Sequence, residues 1–310
     1  MATGISLHIG LNQVDPNHYR DQFGRPWSGD LVACEKDARD MQALALEQGF
    51  SPTILLTSAA TSDAVLDALA SASRTLCAGD TLFVTYSGHG GQVMDLHDEE
   101  EDDLDETWCL YDRELIDDEL RAVWGTFQPG VRILVLSDSC HSGSVIKVQQ
   151  REREMFERAM TTGDVPRIRA LPLGVITGTY VAHRAVYDAI QTIHPQGENA
   201  PVAASVLLIS GCQDDQFSMD GPFNGAFTGQ LLRTWNNGAF QGNYRSFHQA
   251  IVAGMPADQE PNYFTTGMSD PAFEAERPFT IGSALPSMPY TAPKATGTID
   301  IERLDRGGSA

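Results

Sequence analysis

No CxxC pair occurs in the 310 residues, and the five cysteines (Cys34, Cys77, Cys109, Cys140, Cys212) are odd in number and scattered. Such spacing suggests neither a zinc cluster nor a disulfide framework, and a reducing, cytoplasmic setting is the expectation. Basic residues are scarce: 21 Lys and Arg stand against 42 Asp and Glu, a formal net charge of −21. That balance disfavours nucleic acid and anionic membrane as partners and favours basic ones. No apolar run approaches the roughly 18 residues of a membrane span. The opening MATGISLHIGLNQVDP lacks both a basic stretch and a long apolar core, so no secretory signal is expected. No internal repeat is found.

What is present is ordinary for a globular protein, with 42% hydrophobic and 20% charged residues. The length suits one large α/β domain or two small ones. Ile5–Leu11, Thr53–Thr57, Thr81–Tyr86, Val131–Ser137 and Ser205–Ser210 read as short apolar strands. Helical patterns fall near Cys34–Gln48, Thr61–Thr75, Leu115–Trp124, Gly225–Trp235 and Ser246–Met255. Continuous apolar strands separated by helices predict a mainly parallel central sheet with helices on both faces. Residues 1–283 are read as one domain with a long flexible connection over about 145–200. The Pro-, Thr-, Ser- and Gly-rich residues 284–310 are read as a disordered tail.

Ligands of parallel sheets sit at the carboxyl ends of strands, and three strand ends here carry reactive groups. Ser87-Gly88-His89-Gly90-Gly91 follows TLFVTY, Asp138-Ser139-Cys140-His141-Ser142-Gly143 follows VRILVLS, and Gly211-Cys212-Gln213-Asp214-Asp215 follows SVLLIS. Parallel strands would bring His89 and Cys140 to one edge, where an imidazole can take the thiol proton and make Cys140 a nucleophile. The N–H groups of Gly90 and Cys140 could then hold an oxyanion. The plainer reading makes Cys140 a small core residue and His89 a hydrogen-bonded loop residue. Finding both at adjacent strand ends, each in a Gly/Ser turn, favours catalysis.

YSGHGG (Tyr86–Gly91) and SDSCHSGS (Ser137–Ser144) resemble the histidine and cysteine motifs of the caspase fold, specifically of metacaspases and their prokaryotic relatives. Their reactive residues stand 51 positions apart, close to the separation of about 50 in caspases. ISGCQDDQFSMDG (Ile209–Gly221) and LVACEKDA (Leu31–Ala38) resemble two further segments of that family. The resemblance runs in order over about residues 5–282. It implies a caspase-like α/β fold and a cysteine endopeptidase. It also implies a specificity pocket lined by Cys34, Asp37, Ser87 and Asp138, whose two carboxylates suit Arg or Lys. As plain structure, Asp37 is a first-turn helix charge and Asp138 a turn former. Self-cleavage is expected within residues 145–200, which offer Lys147, Arg151, Arg153, Arg158, Arg167 and Arg169.

The resemblance also implies a calcium site, with Asp105, Asp117 and Asp118 as three of its four carboxylates. The fourth position, seven residues after Cys140, is Lys147, and an ammonium cannot ligate a hard cation. A helix N-terminus explains Asp117 and Asp118 equally well. No required cofactor is expected. Two rival readings stand beside the peptidase: a catalytically silent scaffold, against which the intact His/Cys pair argues, and a thiol amidase or transpeptidase, against which Asp37 and Asp138 argue.

Overall fold

The computed structural model describes residues 1–97, 104–140, 168–212, 220–221, 223–256 and 259–282. Its centre is a six-stranded sheet in the order β2-β1-β3-β7-β8-β9. The strands are β1 (Gly4–Gly10), β2 (Ser51–Leu56), β3 (Thr81–Ser87), β7 (Arg132–Asp138), β8 (Ser205–Ser210) and β9 (Asn262–Gly267). All pair in parallel except β9, which runs antiparallel on the edge beside β8. Side chains alternate across the pleat, so Leu82, Val84, Ile133 and Val135 enter one core while Phe83, Leu134 and Leu136 enter the other. Helices α2 (Ser62–Thr75) and α3 (Asp117–Trp124) cover the first face. Helices α1 (Cys34–Glu47), α5 (Ala226–Trp235) and α6 (Tyr244–Val252) cover the second. Burying each large apolar side chain contributes about 2 kcal/mol, so both faces are held strongly.

The sequence reading matches these strands, except β9, and these helices to within a few residues. Thr61 caps α2 as expected, its hydroxyl accepting from the Ala64 N–H at 3.3 Å. The helix expected from Leu115 begins only at Asp117, because Glu114–Ile116 is instead a buried strand.

That strand, β6, belongs to a three-stranded antiparallel sheet with β4 (Gly90–Met94) and β5 (Leu104–Cys109). A helix, α4 (Leu173–Ile193), lies within the stretch read as a flexible connection. It buries Val186, Tyr187 and Ile190 against Val93 and Ile116 of the small sheet. Gly178 within it is needed because a Cβ there would overlap the backbone of Asp21. Residues 141–167 and the tail from 283 lie outside the described residues. No helix among those described is long and apolar enough to cross a membrane.

Candidate active site

Strand register decides the first geometry. Ser87 and Asp138 are direct partners on β3 and β7, so His89 and Cys140, each two residues further on, leave the sheet side by side. Both are buried. His89 Nε2 lies 2.9 Å from the Gly29 carbonyl. A carbonyl only accepts, so Nε2 carries the proton and Nδ1 presents its lone pair. Nδ1 is buried without a hydrogen-bond partner among the described residues. Gly29 has φ +58, and a Cβ there would strike Trp27, whose ring packs 4.9 Å from the imidazole. Neither Trp27 nor Gly29 carries a signal in the sequence, because a backbone carbonyl contact has no residue preference.

Burial pushes the His89 imidazole down to about 4, against the Gly29 carbonyl, which raises it. The ring is therefore neutral, and able to accept a proton, at neutral pH. Burial likewise pushes His8 down to about 3 and His18 to about 2. The unfolded chain binds protons at these three imidazoles from 6.5 downward, whereas the folded chain does not. Stability is thus lost as pH falls below 6.5, by up to about 1.4 kcal/mol per pH unit for each ring. Glu114, which burial pushes up from 4.5 to about 7, works in the opposite direction over that interval. Asp37, which burial also raises, does the same. Three rings against two carboxyls leave a net loss, and denaturant unfolding at pH 7 and pH 5 should give a lower stability at pH 5. Equal or greater stability at pH 5 would refute the assignment of three neutral buried rings.

Cys140 packs against Ala170 and Cys212. The Cys212 thiol lies 3.3 Å from the Cys140 sulfur and 3.4 Å from the Ser139 carbonyl. The sequence suggests only a structural role for Cys212; the fold sets it against the Cys140 sulfur, as a weak S–H donor.

The segment over Cys140 comes from beyond residue 167. Ile168–Leu171 lies along the start of β4, with Ala170 bridged to Gly90 and the Leu171 N–H donating to the Gly90 carbonyl at 2.9 Å. The Arg169 carbonyl receives two hydrogen bonds, from the N–H of Gly90 at 2.9 Å and that of Cys140 at 3.1 Å. Gly90 must be glycine here, since a Cβ would overlap the Cys140 carbonyl.

The Arg169 side chain fills the acidic pocket and is fully buried. Its Nη1 lies 2.9 Å from Asp138 Oδ2, 2.8 Å from Ser87 Oγ and 3.2 Å from the Asp138 carbonyl. Nη2 lies 2.7 Å from Asp37 Oδ2 and 3.0 Å from Asp220 Oδ1. The carboxylates are themselves anchored. Asp37 accepts from Ser87 Oγ, Asn224 Nδ2 and the Gly225 N–H, and Asp138 accepts from the N–H and hydroxyl of Thr228. Burial alone would disfavour the guanidinium charge, but the carboxylates, Asp138 foremost, hold it on. Burial also pushes the Asp37 carboxyl up, and Arg169 pulls it back. Cys34, first residue of α1, borders this group with its thiol pushed by burial up to about 12.

The fold thus gathers Cys34, Asp37, Ser87 and Asp138 around one guanidinium, and His89, Gly90 and Cys140 around the carbonyl of the same residue. Asp220, Asn224, Gly225 and Thr228 join the pocket without having been singled out. Asp220 alone carried a signal, as a carboxylate within the segment Ile209–Gly221.

Asp105 lies on β5, while Asp117 and Asp118 open α3, where Asp118 Oδ2 is 3.4 Å from His97 Nδ1. Among the described residues no three carboxylate, imidazole or thiol side chains come close enough together to hold a metal ion. Lys147 and residues 98–103 lie outside the described residues.

The caspase-domain peptidase family profile matches residues 14–273. Metacaspase-1 of Kluyveromyces lactis is 32% identical over 171 residues, 49% of this chain and 39% of that protein. Metacaspase-1A of Neosartorya fischeri is 31% identical over 255 residues, 73% of this chain and 55% of that protein. The chain spans about half the length of the curated relatives it matches. A crystal structure of a Geobacter sulfurreducens protein is 53% identical, covers 91% of this chain and 100% of its own, and superposes with a TM-score of 0.81. Profile and relatives agree, and the chain belongs to the caspase-domain peptidase family, among proteins of metacaspase type.

Proposed function

We propose that the protein is a cysteine endopeptidase that cleaves polypeptides after Arg or Lys in a reducing compartment, without a required cofactor. The observation that carries this reading is Arg169. Its guanidinium sits among carboxylates while its carbonyl oxygen accepts from the Gly90 and Cys140 N–H groups. A substrate engaged at both ends in that way presents its carbonyl carbon to the Cys140 sulfur.

The chemistry follows from the groups in place. His89 Nδ1 takes the Cys140 proton as the sulfur attacks the carbonyl carbon. The two N–H groups hold the negative oxygen, an arrangement that typically lowers the barrier by about 3 kcal/mol for each donor. The tetrahedral adduct collapses to a thioester as His89 returns the proton to the leaving amine. Water, deprotonated by the same imidazole, then releases the carboxylate and restores the thiol.

Paired fluorogenic peptides ending in Arg, Lys, Asp or Leu, assayed with chelator present, test the reading. Turnover confined to the Arg and Lys peptides is expected, and a preference for Asp or Leu would refute it.

The same reading makes the Arg169–Ala170 bond a built-in substrate. Of the six basic residues that offered themselves for self-cleavage, Arg169 is the one among the described residues, and it fills the pocket. Purified wild type should be nicked between Arg169 and Ala170, and Cys140→Ala should stay whole. Mass spectrometry decides: a wild type left intact on prolonged incubation, or nicked equally in both proteins, counts against self-processing.

A further inference from the structure

We propose that Asp220 is a specificity-determining residue which, with Asp37, makes the pocket select arginine over lysine; this rests on the basic specificity proposed above. Every contact to the Arg169 guanidinium is made at its two terminal nitrogens. Nη1 is held by Asp138 and Ser87, and Nη2 by Asp37 and Asp220. Nε is buried with no hydrogen-bond partner among the described residues. The pocket therefore grips a fork from both prongs.

A lysine ammonium is one nitrogen, not two. Placed against Asp138 it leaves Asp37 and Asp220 facing one another without a cation between them. Placed against that pair, it leaves Asp138 and Ser87 without theirs. Charge attracts either side chain, so charge alone does not discriminate. Geometry does, because the wrong side chain strands a buried carboxylate. Sites built to hydrogen-bond a substrate group reject analogues that lack it far more strongly than apolar pockets reject a missing methylene.

Asp220 is built for this role rather than placed there by chance. Its carboxylate side chain is almost wholly buried. Its carboxylate accepts from the Val32 N–H at 2.8 Å and the Ala33 N–H at 3.3 Å, at the N-terminus of α1. Those amides hold Oδ1 toward Nη2. Asp220 also reports on the dyad, since its charge raises the His89 imidazole that Arg169 lowers.

The test compares kcat/KM of the purified full chain on peptides identical except for Arg or Lys at the cleaved position, in wild type and Asp220→Asn. Wild type should favour Arg by at least about tenfold. Asp220→Asn should lower turnover of the Arg peptide by about tenfold or more and that of the Lys peptide much less, so the ratio falls. Arg169→Lys, with Asp220 intact, gives an independent reading: its self-nicking should be slower than wild type by at least about tenfold. A wild-type ratio near one, equal losses on both peptides, or nicking of Arg169→Lys at the wild-type rate would overturn the role of Asp220. Failure to cleave after either basic residue is a different result, and would remove the basic specificity itself.

Discussion

Cys140→Ala and His89→Ala are each expected to abolish peptide hydrolysis while leaving the fold intact. Cys140 supplies the sulfur that bonds to the carbonyl carbon, and no second thiol stands between the Gly90 N–H and β7 to replace it. Cys212 is adjacent, at 3.3 Å, but its sulfur lies against the Ser139 carbonyl. His89 accepts the proton at Nδ1 because Gly29 occupies Nε2, and its loss leaves the Cys140 thiol without a base to take its proton. Removing a member of such a unit costs most of the catalytic rate on its own, since the two act together. His89→Asn would keep a donor to Gly29 without a base, separating proton transfer from the anchoring of the Trp27–Gly29 loop. Initial rates on an Arg-ending peptide, with circular dichroism to verify folding, provide the measurement. Turnover at the wild-type rate by either folded variant would sink the dyad.

Asp138→Ala and Asp37→Ala should lower cleavage of Arg and Lys peptides by at least about a hundredfold, the scale of a lost charge-assisted contact. The same substitutions should also destabilise the uncut chain, which gives a second readout. Arg169 is buried and held by three carboxylates. Withdrawing one strands part of a buried charge, which typically costs about 3–5 kcal/mol. Asp138→Ala in addition frees the N–H and hydroxyl of Thr228 at the start of α5. Thermal unfolding of the variants in a Cys140→Ala background, where no nicking confuses the comparison, isolates that term. Unchanged unfolding temperature together with unchanged kcat/KM on Arg peptides would mean that neither carboxylate reads the substrate.

Alternation of apolar strands with amphipathic helices is a local pattern, and burial on both faces leaves a parallel strand little choice but a continuous apolar run. Hence TLFVTY, VRILVLS and SVLLIS could be read directly, and with them the edge at which His89 and Cys140 emerge. Asp37, Ser87 and Asp138 were legible only through the resemblance of the motifs that contain them, LVACEKDA, YSGHGG and SDSCHSGS. β9 was not, because NYFTTG on a half-exposed edge has no apolar run to announce it. Nor was α4, whose sequence carries two glycines and a non-helical turn at His183 and has no side-chain cap. Its helicity comes from packing on the small antiparallel sheet rather than from its own propensity.

The pocket's remaining members were decided only by the folded chain. Arg169 is one basic residue among six in its stretch, and nothing local distinguishes it. What singles it out is a pairing with carboxylates from three other segments, at Asp37, Asp138 and Asp220, that come together only when β3, β7 and α1 are assembled. The amino-acid sequence determined the parallel strands and the strand ends that carry His89 and Cys140, because these follow from short-range pattern, while Asp37 and Asp138 were implied by the resemblance of the motifs around them. Which cation those acids hold, and the third acid that holds it with them, depended on tertiary structure, because an ion pair between residues scores of positions apart leaves no periodic trace in the chain.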